Sequence, residues 1–155
     1  MNILESIRGY LRLGDNLATS GMPDPDHFAT IRSAGFEVVI NLAMPTSDNA
    51  LSNEGELVSA QGMTYVHIPV KFDAPTREDF DRFMRVMKVF EQQRVFVHCA
   101  ANMRVSAFVF LHRLRAGNVE RAQAERDLKT IWQPDGVWRE LINARLAEWG
   151  QPALE

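Results

Sequence analysis

The chain of 155 residues is 46% hydrophobic and 24% charged, which fits one globular domain over 1–155 with an adequate core and leaves no room for a second. Its 17 basic and 20 acidic side chains give a formal net charge of −3, so a nucleic-acid partner, which needs a clustered surplus of Lys and Arg, is not expected. One cysteine excludes an internal disulfide and a cysteine-based zinc site and suits a reducing compartment. The Met1 to Ser6 start has no basic head and no sustained apolar run, so neither a secretion signal nor a membrane span is read, and the expectation is a cytoplasmic protein without a membrane partner.

In chain order, strand and helix patterns alternate. A short strand near Asn16 to Thr19 comes first. Asp24 and Pro25 suit the N-cap and first position of a helix over about 25–34, which Gly35 ends. Glu37 to Leu42 is the next strand, and Ser52 is the predicted cap of a helix ending near Gly62. Thr64 to Val70 is a strand with Pro69 at its end, since proline cannot donate within a ladder. Thr76, Arg77, Glu78 and Asp79 resemble a capping box, after which Phe80, Phe83, Met84, Met87 and Phe90 recur at helical spacing as core. Arg94 to Cys99 is the last strand. A central helix over Ser106 to Arg115 follows, with Gly117 as its stop, and helices over about 119–132 and 138–149 flank a turn at Gln133 to Gly136. The alternation predicts a three-layer α/β domain, a central and mostly parallel sheet of about four strands flanked by helices.

The chemistry concentrates where the last strand meets the central helix. Cys99 closes the run Val95, Phe96, Val97, His98 and precedes Ala100, Ala101, Asn102, Met103, Arg104, Val105 and Ser106. A lone cysteine at a strand end is usually an inert core residue. Here, however, a loop feeding a helix N-terminus aims backbone N–H groups and the positive end of the macrodipole at whatever sits above the sulfur. That field favours a nucleophilic thiolate, and Arg104 beside it calls for an anionic partner. Asn102 tolerates a left-handed backbone better than other non-glycine residues.

His98 followed by Cys99, a short loop, Arg104 and Ser106 resembles the signature loop of the protein tyrosine phosphatase superfamily: His-Cys, five residues, Arg, then Ser or Thr. This chain departs from it. Four residues separate Cys99 from Arg104, Val105 stands where alignment on Ser106 would put the arginine, and Asn102 stands at the usual glycine. The shorter spacing is similar to that of a bacterial phosphatase-like family sometimes fused to β-lactamase-like hydrolases. Thr19 to Pro23, Ala34 to Leu42, Tyr65 to Val70 and Ala74 to Thr76 follow that family's order. The resemblance implies a phosphotyrosine phosphatase II-like fold and cleavage of a phosphate monoester; no cofactor is expected, and no metal either, since no two histidines have ligand spacing on one helix.

On that resemblance Cys99 is the nucleophile. The 100–105 amides with Arg104 hold the phosphate, and Ser106 assists departure of the thiolate. A proton for the leaving oxygen has to come from a carboxylic acid, and Asp73 is the candidate because its loop emerges on the same sheet edge as Cys99, where open α/β sheets place ligands. His98 is the supporting residue that fixes the cysteine loop. Asp135, in a Trp-Gln-Pro-Asp run that lies after the cysteine, is read as an interhelical turn; His67 and His112 are read as packing or surface residues and His27 as exposed. The partner implied is a substrate bearing phosphate or another oxyanion. Two further readings stay open: a rhodanese-like sulfurtransferase carrying a persulfide on Cys99, and a non-catalytic oxyanion-binding pseudophosphatase.

Overall fold

Five strands, β1 (Leu11–Arg12), β2 (Leu17–Ser20), β3 (Val38–Asn41), β4 (Thr64–His67) and β5 (Val95–His98), form one sheet in the order β1-β2-β5-β3-β4. Six helices accompany them: α1 (His27–Ser33), α2 (Glu54–Ala60), α3 (Arg77–Val89), α4 (Met103–Ala116), α5 (Arg121–Ile131) and α6 (Gly136–Glu148). The computed structural model describes residues 3–117 and 119–155. Met1 and Asn2, which open the segment read above as lacking a signal, and Asn118 lie outside them.

β5 is the centre of the sheet, parallel to β2 on one side and to β3 on the other, and all four of its residues are buried. A strand covered on both faces reads as a continuous apolar run, which is why Val95 to Val97 stood out in the sequence. Its alternation divides the core. Val95 and Val97 face a layer built on Phe80 and Phe83 of α3, Phe108 of α4 and Trp138 of α6, whereas Phe96 packs with Phe28 and Ile31 of α1, Phe36 and Val58. The three layers are thus α1 and α2, the sheet, and α3 to α6.

The sheet has one strand more than expected. β1, two residues paired antiparallel with β2, is too short to carry a periodic signal. Two expected caps are also corrected. Asp26 holds the N-cap position of α1, and Asp24 instead starts a turn whose backbone N–H donates to His27 Nδ1 at 2.9 Å, leaving His27 half-buried. α2 begins at Glu54 after Asn53, past Ser52. The Thr76/Asp79 capping box forms in both directions, and Gly117 ends α4 in the left-handed region at φ 73°. In α4, burial holds the His112 imidazole below its ordinary 6.5, with Arg113 acting in the same direction, so the ring edge lying on Phe83 stays neutral.

Candidate active site

The segment leaving β5 is tied to the strand ends beside it. Cys99 N–H donates to the Ser20 carbonyl at 3.3 Å, Leu42 N–H donates to the His98 carbonyl at 2.9 Å, and Met22 N–H donates to the Ala100 carbonyl at 3.2 Å. Asn49 Nδ2 donates to the same Ala100 oxygen at 3.1 Å, and Gly21 bridges Ala101. Because a trans peptide sets C=O and N–H antiparallel, fixing the Ala100 carbonyl on the scaffold turns the Ala101 N–H the other way.

The loop ends at Asn102, which adopts φ 65°, the left-handed conformation anticipated for it. Its Nδ2 donates to the Gly9 carbonyl at 2.8 Å and to Thr19 Oγ1 at 3.0 Å. α4 therefore starts at Met103, three residues before the expected Ser106. Met103, Arg104 and Val105 become its first turn, where backbone N–H groups have no intrahelical acceptor and the macrodipole is positive.

Arg104 is 6% exposed, and among the described residues no carboxylate pairs with it. Its Nη1 donates to the Val70 carbonyl at 2.9 Å, and the guanidinium carbon lies 5.9 Å from the centre of the Phe72 ring. A guanidinium carries five N–H donors, so this bond engages one of them. Phe72 in turn lies 5.9 Å, centre to centre, from both Trp132 and Trp138, and Trp138 Nε1 donates to the Phe72 carbonyl at 2.7 Å. Asp73, next along, is exposed. Arg104 thus ties the start of the Asp73 loop to the helix that begins after Cys99. The Gln133 to Gly136 turn, with Asp135 at the N-cap position of α6, carries the two tryptophans to this rim.

Cys99 lies 1% exposed at the base of the loop. The Ser106 hydroxyl, expected to serve the cysteine, donates to the Met103 carbonyl at 3.0 Å and accepts from Trp132 Nε1 at 3.0 Å, so assistance at Cys99 would require it to leave Met103. His98, fully buried, presents Nδ1 to the Cys99 carbonyl at 3.2 Å and Nε2 to Glu54 Oε2 at 2.5 Å. Asn41 Nδ2 donates to Glu54 Oε1 at 3.3 Å and to the Tyr65 hydroxyl at 3.1 Å, while its Oδ1 accepts from Ala43 N–H at 2.8 Å. Burial pushes the Tyr65 phenol up to about 12 against the Asn41 hydrogen bond, and the Glu54 carboxylate adds to the rise.

The structure brings together Cys99, 100–106 and His98, with Arg104 reaching the strand extension that leads to Asp73. Sequence reasoning missed Glu54, Asn41 and Asn49. One signal for Glu54 was present: it shares a helix face with Val58 four residues on, and both are buried. Among the described residues no group of three or more His, Cys, Asp or Glu could hold a metal ion, and no helix is long and apolar enough to cross a membrane.

Gly21 is where the scaffold touches the loop. A Cβ there would sit 2.7 Å from the Ala100 oxygen, 3.0 Å from the Arg8 oxygen and 3.1 Å from Ala101 Cα, all of them backbone. Gly21→Ala is expected to cost about 1–3 kcal/mol in urea unfolding by overpacking, because Ala100 must move.

A parallel sheet whose central strand delivers a cysteine into a short loop, with arginine in the first turn of the next helix, is the arrangement implied by the resemblance to the protein tyrosine and dual-specificity phosphatases. The profile described as DSP-PTPase phosphatase fused to NAD+ kinase matches residues 18–139. The chain belongs to this family. Its structure is similar to that of a DUF442 phosphatase candidate from Shewanella putrefaciens CN-32, 35% identical, covering 94% of this chain and 96% of that one with a TM-score of 0.85. It shares its fold with Tk-PTP in its active form, at 19% identity, 90% and 95% coverage and a TM-score of 0.69. The β-lactamase hydrolase-like protein of Xylella fastidiosa (strain Temecula1 / ATCC 700964) is 28% identical over 116 residues, 73% of this chain but 27% of that protein, so the chain spans about a quarter of its length.

Proposed function

We propose that this domain hydrolyses a phosphate monoester through a phosphocysteine intermediate. The observation that carries the proposal is Arg104: a buried guanidinium without a carboxylate partner among the described residues, at the positive end of α4 and in the first turn after the cysteine loop. A buried cation is costly unless it is paired, and a dianionic phosphoryl group would pair it bidentately.

In the first step the Cys99 thiolate attacks phosphorus, the bond to the leaving oxygen breaks, and the Asp73 carboxylic acid delivers its proton to that oxygen. In the second, water attacks phosphorus, the S–P bond breaks with the electron pair returning to sulfur, and the Asp73 carboxylate takes the water proton. Loop amides and Arg104 hold the equatorial oxygens throughout. The substrate is an organic phosphate, with no nucleic acid and no membrane required, and the lone cysteine suits the reducing cytoplasm.

The test is phosphate release from para-nitrophenyl phosphate between pH 5 and 8 by the wild type and by Asp73→Asn. Turnover is expected, with kcat lowered about 10²- to 10⁴-fold in Asp73→Asn, the scale of one general acid. Full activity in Asp73→Asn would assign the proton elsewhere. Absence of wild-type turnover would overturn the hydrolase: phosphate binding alone would then indicate an oxyanion-binding module, and a one-sulfur mass gain on Cys99 after thiosulfate would indicate sulfur transfer.

A further inference from the structure

We infer that Glu54 is a positioning residue for the cysteine loop, acting through His98; the inference rests on the oxyanion site proposed above. Glu54 is 3% exposed and His98 is fully buried, so the two meet directly, out of bulk solvent. Each nitrogen of the His98 ring faces an oxygen, the Cys99 carbonyl on Nδ1 and Glu54 Oε2 on Nε2. A carbonyl oxygen only accepts, so the Nδ1 contact requires a hydrogen on Nδ1. The 2.5 Å contact on the other side then holds a second proton between Nε2 and the carboxylate.

A neutral imidazole has one such hydrogen. Without Glu54 the ring either keeps it on Nδ1 and buries an unpartnered Nε2, or moves it to Nε2 and turns a lone pair on the Cys99 carbonyl. The first leaves the ring without its anchor and free to shift; the second sets a lone pair against the peptide that joins Cys99 to Ala100. That peptide matters because its N–H, antiparallel to the carbonyl, is the first amide of the anion cradle. Glu54 is itself fixed: Asn41 donates to its other oxygen, and Asn41 is held by Ala43 N–H and bonded to Tyr65. From β3 and β4, Asn41 and Tyr65 are bonded around the pair, and His67 of β4 lines the cavity beside Glu54 with its Nε2 on the Ala43 carbonyl at 2.7 Å. Glu54 touches neither the cysteine sulfur nor the anion space; its effect passes through the imidazole.

The chemistry separates two variants. In Glu54→Gln the side-chain amide donates to Nε2, leaving the hydrogen on Nδ1 and the Cys99 contact in place. In Glu54→Ala no side chain does. The fold should tolerate the truncation, because Glu54 already lines a cavity of about 230 Å³ with Asn41, Tyr65 and His67. Glu54→Asp, one methylene shorter, keeps the charge but falls short of the imidazole, and serves if Glu54→Ala does not fold.

The experiment measures alkylation of Cys99 by iodoacetamide and its protection by inorganic phosphate, alongside kcat and KM for para-nitrophenyl phosphate, in the full chain. Glu54→Ala or Glu54→Asp is expected to weaken phosphate protection and lower kcat by about tenfold or more, with Glu54→Gln restoring most of both; tenfold corresponds to about 1.4 kcal/mol, one charged hydrogen bond. A wild type that turns over substrate, beside folded Ala or Asp variants with unchanged protection and kcat, would overturn the role of Glu54 and leave the phosphatase standing. Loss in Glu54→Gln as deep as in Glu54→Ala would overturn the positioning argument in favour of charge alone. A wild type with neither turnover nor phosphate protection would overturn the oxyanion site and this inference with it.

Discussion

Cys99→Ser is expected to bring para-nitrophenyl phosphate hydrolysis down by on the order of 10⁴-fold or more, to background, because a neutral hydroxyl cannot replace the thiolate as nucleophile and leaving group. The fold should survive. Cys99 is 1% exposed and nearly the same shape as serine, so the cost is that of burying one hydroxyl beside polar backbone, about 1 kcal/mol. Thermal unfolding of the variant checks the second half, and retained phosphate binding by calorimetry shows that the cradle is intact. Full turnover in a folded Cys99→Ser protein would remove the cysteine from the mechanism.

The second large effect is at Arg104, where function and stability should move in opposite directions. Arg104→Met keeps most of the stem volume and removes the guanidinium. It is expected to lower kcat/KM by about 10³-fold and to abolish phosphate binding, as loss of a principal oxyanion donor does. The same change removes a buried cation that no carboxylate among the described residues pairs with, at the expense of one hydrogen bond to the Val70 carbonyl. Desolvation of an unpaired charge outweighs a single neutral-acceptor bond, so the unliganded variant should melt no lower than the wild type. Arg104→Lys should lose nearly as much activity, because an ammonium cannot hold Val70 and also present a planar fork to phosphate. A large drop in melting temperature for Arg104→Met would mean that the guanidinium is structural cement and would undercut the site assignment.

What could be read from the chain, and what could not, follows from which signals are local. β3 and β5 announce themselves by short apolar runs, and the Thr76/Asp79 box by a spacing that the helix geometry demands. The cysteine loop was legible because all its parts are consecutive, including the left-handed Asn102. The Asp24 and Ser52 assignments failed because several residues able to cap stand next to one another and only tertiary contacts choose among them: His27 draws the Asp24 N–H into a turn. The partner of Glu54 was illegible for a deeper reason. A glutamate in a first helical turn ordinarily serves the helix dipole in solvent, and its partner His98 is 44 residues away. Only the order of strands in the sheet, with β3 between β4 and β5, reveals that the two are neighbours.

That strand order also bears on how the domain fails. β5 has a parallel neighbour on each side and helices over both faces, so hydrogen-bonded amides along Val95 to His98 should exchange with deuterium only when the whole molecule opens. The Cys99 loop hangs from the end of this segment, not from the two-residue edge strand β1. Local fraying of β1 and the segment before it would cost the loop the Asn102 bond to Gly9, while the ties to Thr19, Ser20 and Met22 hold. Loss of the β5 anchor itself requires global unfolding, so exchange at its amides becomes a direct count of opened molecules.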